Sequence, residues 1–132
     1  KIHKADFVTN SDFRSYPDGM DVAVYSTKSL FKSYKLTKNK FYREHVTLFM
    51  KHNKKKFKQI NIVAPKNMFW PELGLTLDEY KDYILLKKII EYFHNKKNFY
   101  FTCDDVIKYL IKNKNLLKIN SNIKRKPIKY IC

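Results

Sequence analysis

Three short segments gather side chains able to do chemistry. Arg14-Ser-Tyr-Pro-Asp-Gly-Met-Asp21 places a guanidinium and carboxylates around Pro17 and Gly19, a pair that dictates a tight reversal with Gly19 free to take positive φ. Loops of this kind present binding groups from a rigid scaffold, although the same residues also serve as a polar turn between two strands. Arg43-Glu44-His45-Val46-Thr47 clusters polar groups just ahead of the apolar Phe49 and Met50. Arg43 has the fork geometry to hold a carboxylate or phosphate at two points, and His45 is of a type that can shuttle or donate a proton. A solvated helix start, with Glu44 answering the helix dipole, accounts for the segment equally well. The third segment sets Asp78 beside Glu79, with Asp82 one helical turn on. A carboxylate beyond the end of a strand suits Mg²⁺, which takes one or two carboxylates and leaves its other positions to water and phosphate. Asp78 also suits a helix cap, and the two roles can coexist through different oxygens.

The pattern around these segments predicts alternating strands and helices. Strands are expected at Asp6–Asn10, at the β-branched Asp21–Ser26, at Phe57–Val63 and at Leu75–Asp78, the last ending in the carboxylate. Ser26 or Thr27 caps a predicted helix through Tyr34, with Leu30, Phe31 and Tyr34 on one face. A second helix is predicted over Phe41–His52, with Val46, Phe49 and Met50 sharing a face. A third runs over Glu79–His94 on the stripe Tyr83, Leu86, Ile90 and Phe93. Thr102 caps the last, to Lys112, with Asp104 and Asp105 in its first turn. The alternation predicts an α/β fold with a mixed sheet and flanking helices. Residues 1–120 are expected to form one unit, followed by a basic, loose tail over 121–132 that holds Pro127.

Composition narrows the function classes. The net charge of +16 invites a nucleic-acid reading, yet only Arg14, Arg43 and Arg125 of the 28 basic residues are arginine. Nucleic-acid readers favour the planar arginine fork, and the lysines here are scattered rather than striped, so nucleic acid is not the expected partner. No apolar run reaches membrane-spanning length and the first residues carry no secretory pattern, so a cytoplasmic setting is expected. Cys103 and Cys132 match no zinc or redox spacing, and neither has a neighbouring base to make it a nucleophile. His3, His52 and His94 stand without spaced ligand partners and read as surface histidines.

Taken in order, the segments resemble the cytidylyltransferase family that includes spore-coat polysaccharide synthesis proteins and the enzymes activating sialic acid and related sugar acids. That family's second half typically reads Arg-x-Tyr/Phe-Pro-x-Gly-Leu-Asp-Val-Glu-Val-Phe, against Arg14-Ser-Tyr-Pro-Asp-Gly-Met-Asp-Val-Ala-Val-Tyr25 here. Arg-Glu-His-Val-Thr follows unchanged at 43–47. A Leu-Thr-Val-Asp-x-x-x-Asp-Tyr stretch is matched by Leu75-Thr-Leu-Asp-Glu-Tyr-Lys-Asp-Tyr83, and a closing Leu-x-x-Ile-Asn by the stretch that ends Leu117-Lys-Ile-Asn120. The resemblance implies part of a Rossmann-like nucleotide-diphospho-sugar transferase fold. It further implies transfer of CMP from CTP to a sugar or sugar acid for surface polysaccharide or glycan synthesis, with Mg²⁺ as cofactor and a homodimer as a possible assembly. By resemblance Asp78 holds metal and Asp82 supports it, while Arg14, Asp21, Arg43, Glu44 and His45 line the sugar side.

The departures are specific. Ala23 stands where the family has Glu, Leu48 where it has Pro, and Tyr42 where an acidic residue is common. The family's N-terminal half, with its triphosphate-gripping loop and a further metal-holding Asp, has no counterpart in these 132 residues. The chain is therefore expected to be a C-terminal half unable to bind CTP productively alone. A non-catalytic basic α/β binding module docking on an anionic partner, or a degenerate scaffold remnant, are the competing readings.

Overall fold

A computed structural model describes residues 4–124. The chain divides into two compact units, Lys1–Pro71 and Glu72–Cys132. The expected tail over 121–132 lies outside the described residues from 125 onward, as do His3, Pro127 and Cys132.

The first unit is built on a three-stranded sheet of order β2-β1-β3: β1 is Phe7–Thr9, β2 Ala23–Tyr25 and β3 Gln59–Asn61. β1 runs antiparallel to β2 and parallel to β3, the mixed sheet expected of the α/β class. Helix α1 (Thr27–Leu36) starts where Ser26 accepts a hydrogen bond from the Ser29 amide at 3.0 Å, satisfying one of the amides a helix start leaves open. Phe7, Phe49, Met50 and Phe57 form the core beneath the sheet.

Two expectations for this unit are corrected. The helix over Phe41–His52 is two short ones, α2 (Lys40–Glu44) and α3 (Leu48–His52), because His45 leaves helical geometry at φ −98°, ψ 77°. The β-branched Val46 and Thr47 follow it, residues that give a helix little help. Val46 is consequently exposed while Phe49 and Met50 are buried. Helix α1 also turns a different face inward: Ser29 and Ser33 are buried, and Phe31 and Tyr34 are 60% and 57% exposed. The Ser29 hydroxyl donates to Asp6 Oδ1 at 2.9 Å, so a polar fastening, rather than the apolar stripe, fixes the helix rotation.

Asp6 ties three elements together. Its other oxygen accepts from the Lys58 amide at 2.9 Å, ahead of β3. The Lys58 amide, then the Ser29 hydroxyl, and the charges of Lys32 and Lys28 hold its carboxyl below the ordinary carboxylate range. A depressed folded-state value adds stability above the unfolded value and loses it as pH falls through the depressed one. The first unit should therefore lose stability as pH drops below about 4, and Asp6→Asn should flatten that dependence. Near-UV circular dichroism of both proteins across the acid range checks it; parallel curves would remove Asp6 as the cause.

The second unit packs α4 (Tyr80–Asn95) with α5 (Cys103–Lys112). As expected, Thr102 caps α5, accepting from the Asp105 amide at 3.3 Å, while Asp105 accepts from the Thr102 amide at 2.8 Å. The buried residues of α4 are Asp82, Leu85, Ile89 and Phe93. The predicted stripe holds only at Phe93, since Tyr83 and Ile90 are 48% and 55% exposed. An inward-facing Asp82 sets that rotation. Leu75–Asp78 is not a strand: Gly74, just ahead of it, makes an isolated bridge, and residues 75–78 carry no ladder. Leu73 and Leu75 are buried and Leu77 is 65% exposed, so the side chains are sorted but no neighbouring strand pairs with the backbone.

Candidate functional site

The loop that follows β1 is fastened at both ends by buried polar side chains. Asn10, 7% exposed, donates from Nδ2 to the Met20 carbonyl at 2.8 Å and accepts the Val22 amide at 2.7 Å. Ser15, fully buried, accepts the Ala64 amide at 2.9 Å, and its carbonyl accepts the Trp70 amide at 3.0 Å. Between these anchors Gly19 takes φ 100°, the conformation the sequence demanded of it. Arg14 is ion-paired with Asp18, and its Nη2 reaches Asp21 Oδ2 at 3.4 Å. The predicted loop residues Arg14 and Asp21 are thus brought together, with the guanidinium spent on the loop's own carboxylates. Asp21 keeps an exposed side chain.

Arg43 sits in the last turn of α2, its guanidinium carbon 4.3 Å above the Tyr34 ring and its Nε donating to the Thr37 carbonyl at 3.3 Å. Cation–π stacking of this kind fixes the plane of the fork while leaving Nη1 and Nη2 as donors. Arg43 lines a cavity of about 360 Å³ whose other walls include Leu30, Phe31, Tyr42 and Val46. Glu44 ends α2 and is exposed; His45 packs its ring edgewise on Phe41, 4.8 Å between centroids, and is exposed as well. No hydrogen bond or ion pair among the described residues links Arg43, Glu44 or His45 to Arg14 or Asp21.

Asp78 and Asp82 belong to the second unit. Asp82 is fully buried. Its Oδ2 accepts the amides of Asp78 and Glu79 at 3.3 and 3.2 Å, and its Oδ1 accepts Asn120 Nδ2 at 2.8 Å. Asn120 also donates to the Gly74 carbonyl at 3.0 Å. The N-cap position of α4 is Glu79, with extended backbone, so the capping role expected of Asp78 falls one residue later. Asp78 presents an exposed side chain at the tip of this knot. No group of three or more His, Cys, Asp or Glu able to hold a metal occurs among the described residues. Asp82, with both oxygens taken by N–H donors, does not fit a metal ligand. Asp78, exposed beside the capped start of α4, fits one position of a cation whose remaining ligands come from phosphate and water.

Sequence reading missed Asn10, Ser15 and Asp6 as the fasteners of the first unit, since nothing in residue type separates a buried Asn or Ser from a solvated one. Asn120 had a signal, as the last residue of the closing Leu-x-x-Ile-Asn block. Burial, then the Asp104 charge, holds the Cys103 thiol above its ordinary value. No helix among the described residues is long and apolar enough to cross a membrane.

No protein-family model matches the chain. An uncharacterized protein of Methanocaldococcus jannaschii is 30% identical over 116 residues, covering 86% of this chain and 45% of that protein. Among solved structures, a cytidylyltransferase from Leptospira borgpetersenii serovar Hardjo-bovis superposes with a TM-score of 0.77 at 27% identity, over 93% of this chain and 48% of that one. The chain spans about half the length of each. The mixed sheet, the flanking helices and this likeness together establish an α/β fold of the nucleotide-sugar transferase kind, similar to that of a cytidylyltransferase.

Proposed function

We propose that the chain is the sugar-side, C-terminal half of a cytidylyltransferase that moves CMP from CTP to a sugar or sugar acid, for surface polysaccharide or glycan synthesis. The observation that carries this reading is the likeness to the Leptospira cytidylyltransferase over 93% of the chain; it is supported by the sequence blocks, which lie in the loop leading into β2, at the end of α2 and at the start of α4. In the reaction a sugar hydroxyl oxygen bonds to the α-phosphorus of CTP, the bond to pyrophosphate breaks, and the hydroxyl proton leaves to a base. Glu44 and His45, adjacent and exposed, are groups of the proper kind to take it. Arg43, braced on Tyr34, offers Nη1 and Nη2 to a carboxylate of the acceptor. Asp21, positioned through Arg14, accepts from acceptor hydroxyls. Asp78 would help hold Mg²⁺, whose chemistry would be to neutralise charge on the phosphates. Asp82 and Asn120 position Asp78 rather than touch substrate.

The isolated chain is expected to release no pyrophosphate from CTP with any acceptor. Mixed or fused with the nucleotide-binding half of a related enzyme, it should turn over when a sugar acid is supplied. A fused protein that folds, binds CTP and leaves every sugar and sugar acid untouched would sink the reading. Salt-sensitive binding of arbitrary nucleic acid by the isolated chain would instead support a basic binding module.

A further inference from the structure

Helix α1 is built inside out. A surface helix normally turns its apolar stripe to the core, yet here Ser29 and Ser33 face inward, 1% and 4% exposed. At about 100° per residue, Phe31 lies diametrically opposite the midpoint of those two serines. It is 60% exposed, with Tyr34 on one flank at 57% and Leu36 closing the helix at 46%. The other flank is Lys28, Lys32 and Lys35, all exposed. These three lysines, Phe31 and Leu36 line one shallow depression together. Charge on this stretch has a single sign. No Asp or Glu occurs from Val22 to Arg43, while Lys28, Lys32, Lys35, Lys38, Lys40 and Arg43 all fall within it. Lysine alone says little in a chain this basic. Lysine around an outward aromatic ridge, with no acid to balance it, selects a partner.

We infer that α1 docks in the plane of an anionic lipid surface, with Phe31 and Tyr34 entering the boundary between headgroups and acyl chains. Lys28 and Lys35 keep their ammonium groups at the lipid phosphates while their methylene stems lie along the apolar side. Three kinds of partner meet a basic face, and the residue types separate them. Nucleic acid rewards the lysines and can stack an aromatic ring, but its readers favour Arg and it gives Leu36 no apolar burial. The buried centre of a protein interface is enriched in arginine and depleted in lysine, the reverse of this face. A bilayer surface takes both sets at once, since aromatic rings and snorkelling lysines share its interface. A helix of 10 residues buries little area, so the attachment is reversible and weakens with salt. It needs no CTP and stands apart from the transfer reaction.

The full chain is to be cosedimented with vesicles of phosphatidylcholine, and with vesicles of equal parts phosphatidylcholine and phosphatidylglycerol. Binding is expected on the anionic vesicles and not on the neutral ones. A net charge of +16 draws a protein to anionic lipid from any side, so the variants carry the test. Phe31→Ser changes no charge and should weaken partitioning roughly tenfold, the effect of withdrawing one aromatic side chain from an apolar boundary. Lys28→Gln with Lys35→Gln should weaken it by a similar factor. Lys88→Gln with Lys112→Gln, exposed on the second unit, removes the same charge and should change it far less. All of these side chains are exposed, so the variants should keep the parent's melting midpoint. In a Trp70→Phe background, Phe31→Trp should shift its emission to the blue on the anionic vesicles. No binding to those vesicles, or an unshifted emission, overturns the inference. Binding that Phe31→Ser leaves unchanged, or that both lysine pairs weaken equally, is diffuse charge attraction and overturns it too. Vesicles left unbound while single-stranded RNA binds, and is lost with Lys28→Gln and Lys35→Gln, would give the face to nucleic acid instead.

Discussion

Asp82→Ala is expected to cost the second unit about 2–4 kcal/mol, the largest loss of any single carboxylate in the chain. The replacement deletes the acceptor for the part-buried Asp78 and Glu79 amides and for Asn120 Nδ2, whose bond to the fully buried Asp82 is itself buried. Donors left unmet when buried cost more than the bond itself was worth, and relief from burying a charge offsets part of that. For a unit of this size the midpoint should fall by about 10–25 °C. Asp82→Asn keeps one oxygen acceptor and the side-chain volume, so its loss should lie between those of the parent and the alanine variant. Asp104→Ala is the control. Its ion pair with Lys108 lies on the surface, where such pairs are worth well under about 1 kcal/mol. Equal midpoints for the Asp82 and Asp104 variants would show that the buried knot carries no special weight.

The same residue shows where sequence reading succeeds and where it stops. Helix existence was legible at α1, α4 and α5, because apolar spacing, Ser26 and Thr102 mark length and starting point. Helix rotation was not. A stripe through Tyr83, Leu86 and Ile90 competes with one through Leu85 and Ile89, and the choice rests on a carboxylate turning inward to meet Asn120, a partner 38 positions away. At α1 the buried serines are placed by Asp6, 23 positions from Ser29. The strand expected at Leu75–Asp78 does not form: a strand is defined by its neighbour, and the described residues supply none there. The internal wiring of the site segments, such as Arg14 turned onto Asp18 and Asp21, needed coordinates.

Asp78→Asn is expected to abolish most CMP transfer while leaving the fold untouched. Turnover is to be measured with the nucleotide-binding half restored, because half-length chains lack the other contributors that the proposed function requires. The Asp78 amide, which donates to Asp82 Oδ2, is unchanged by the substitution, and the side chain is exposed. The melting midpoint should therefore stay with the parent's. The formal charge at the proposed cation position is lost. Removing one preorganised electrostatic contributor typically costs about 100-fold or more in turnover. A metal-linked loss has a second signature: the variant should need more Mg²⁺ for half-maximal rate, because a neutral amide oxygen is a poorer ligand for a hard cation. A purely structural Asp78 would behave the opposite way, with a lowered midpoint and an unaltered Mg²⁺ requirement. Full turnover in Asp78→Asn at the parent's Mg²⁺ requirement would remove this residue from the reaction. The role of Asp82 as an N-terminal clamp for α4 would still stand, since its bonds to the two amides and to Asn120 do not involve the Asp78 carboxylate.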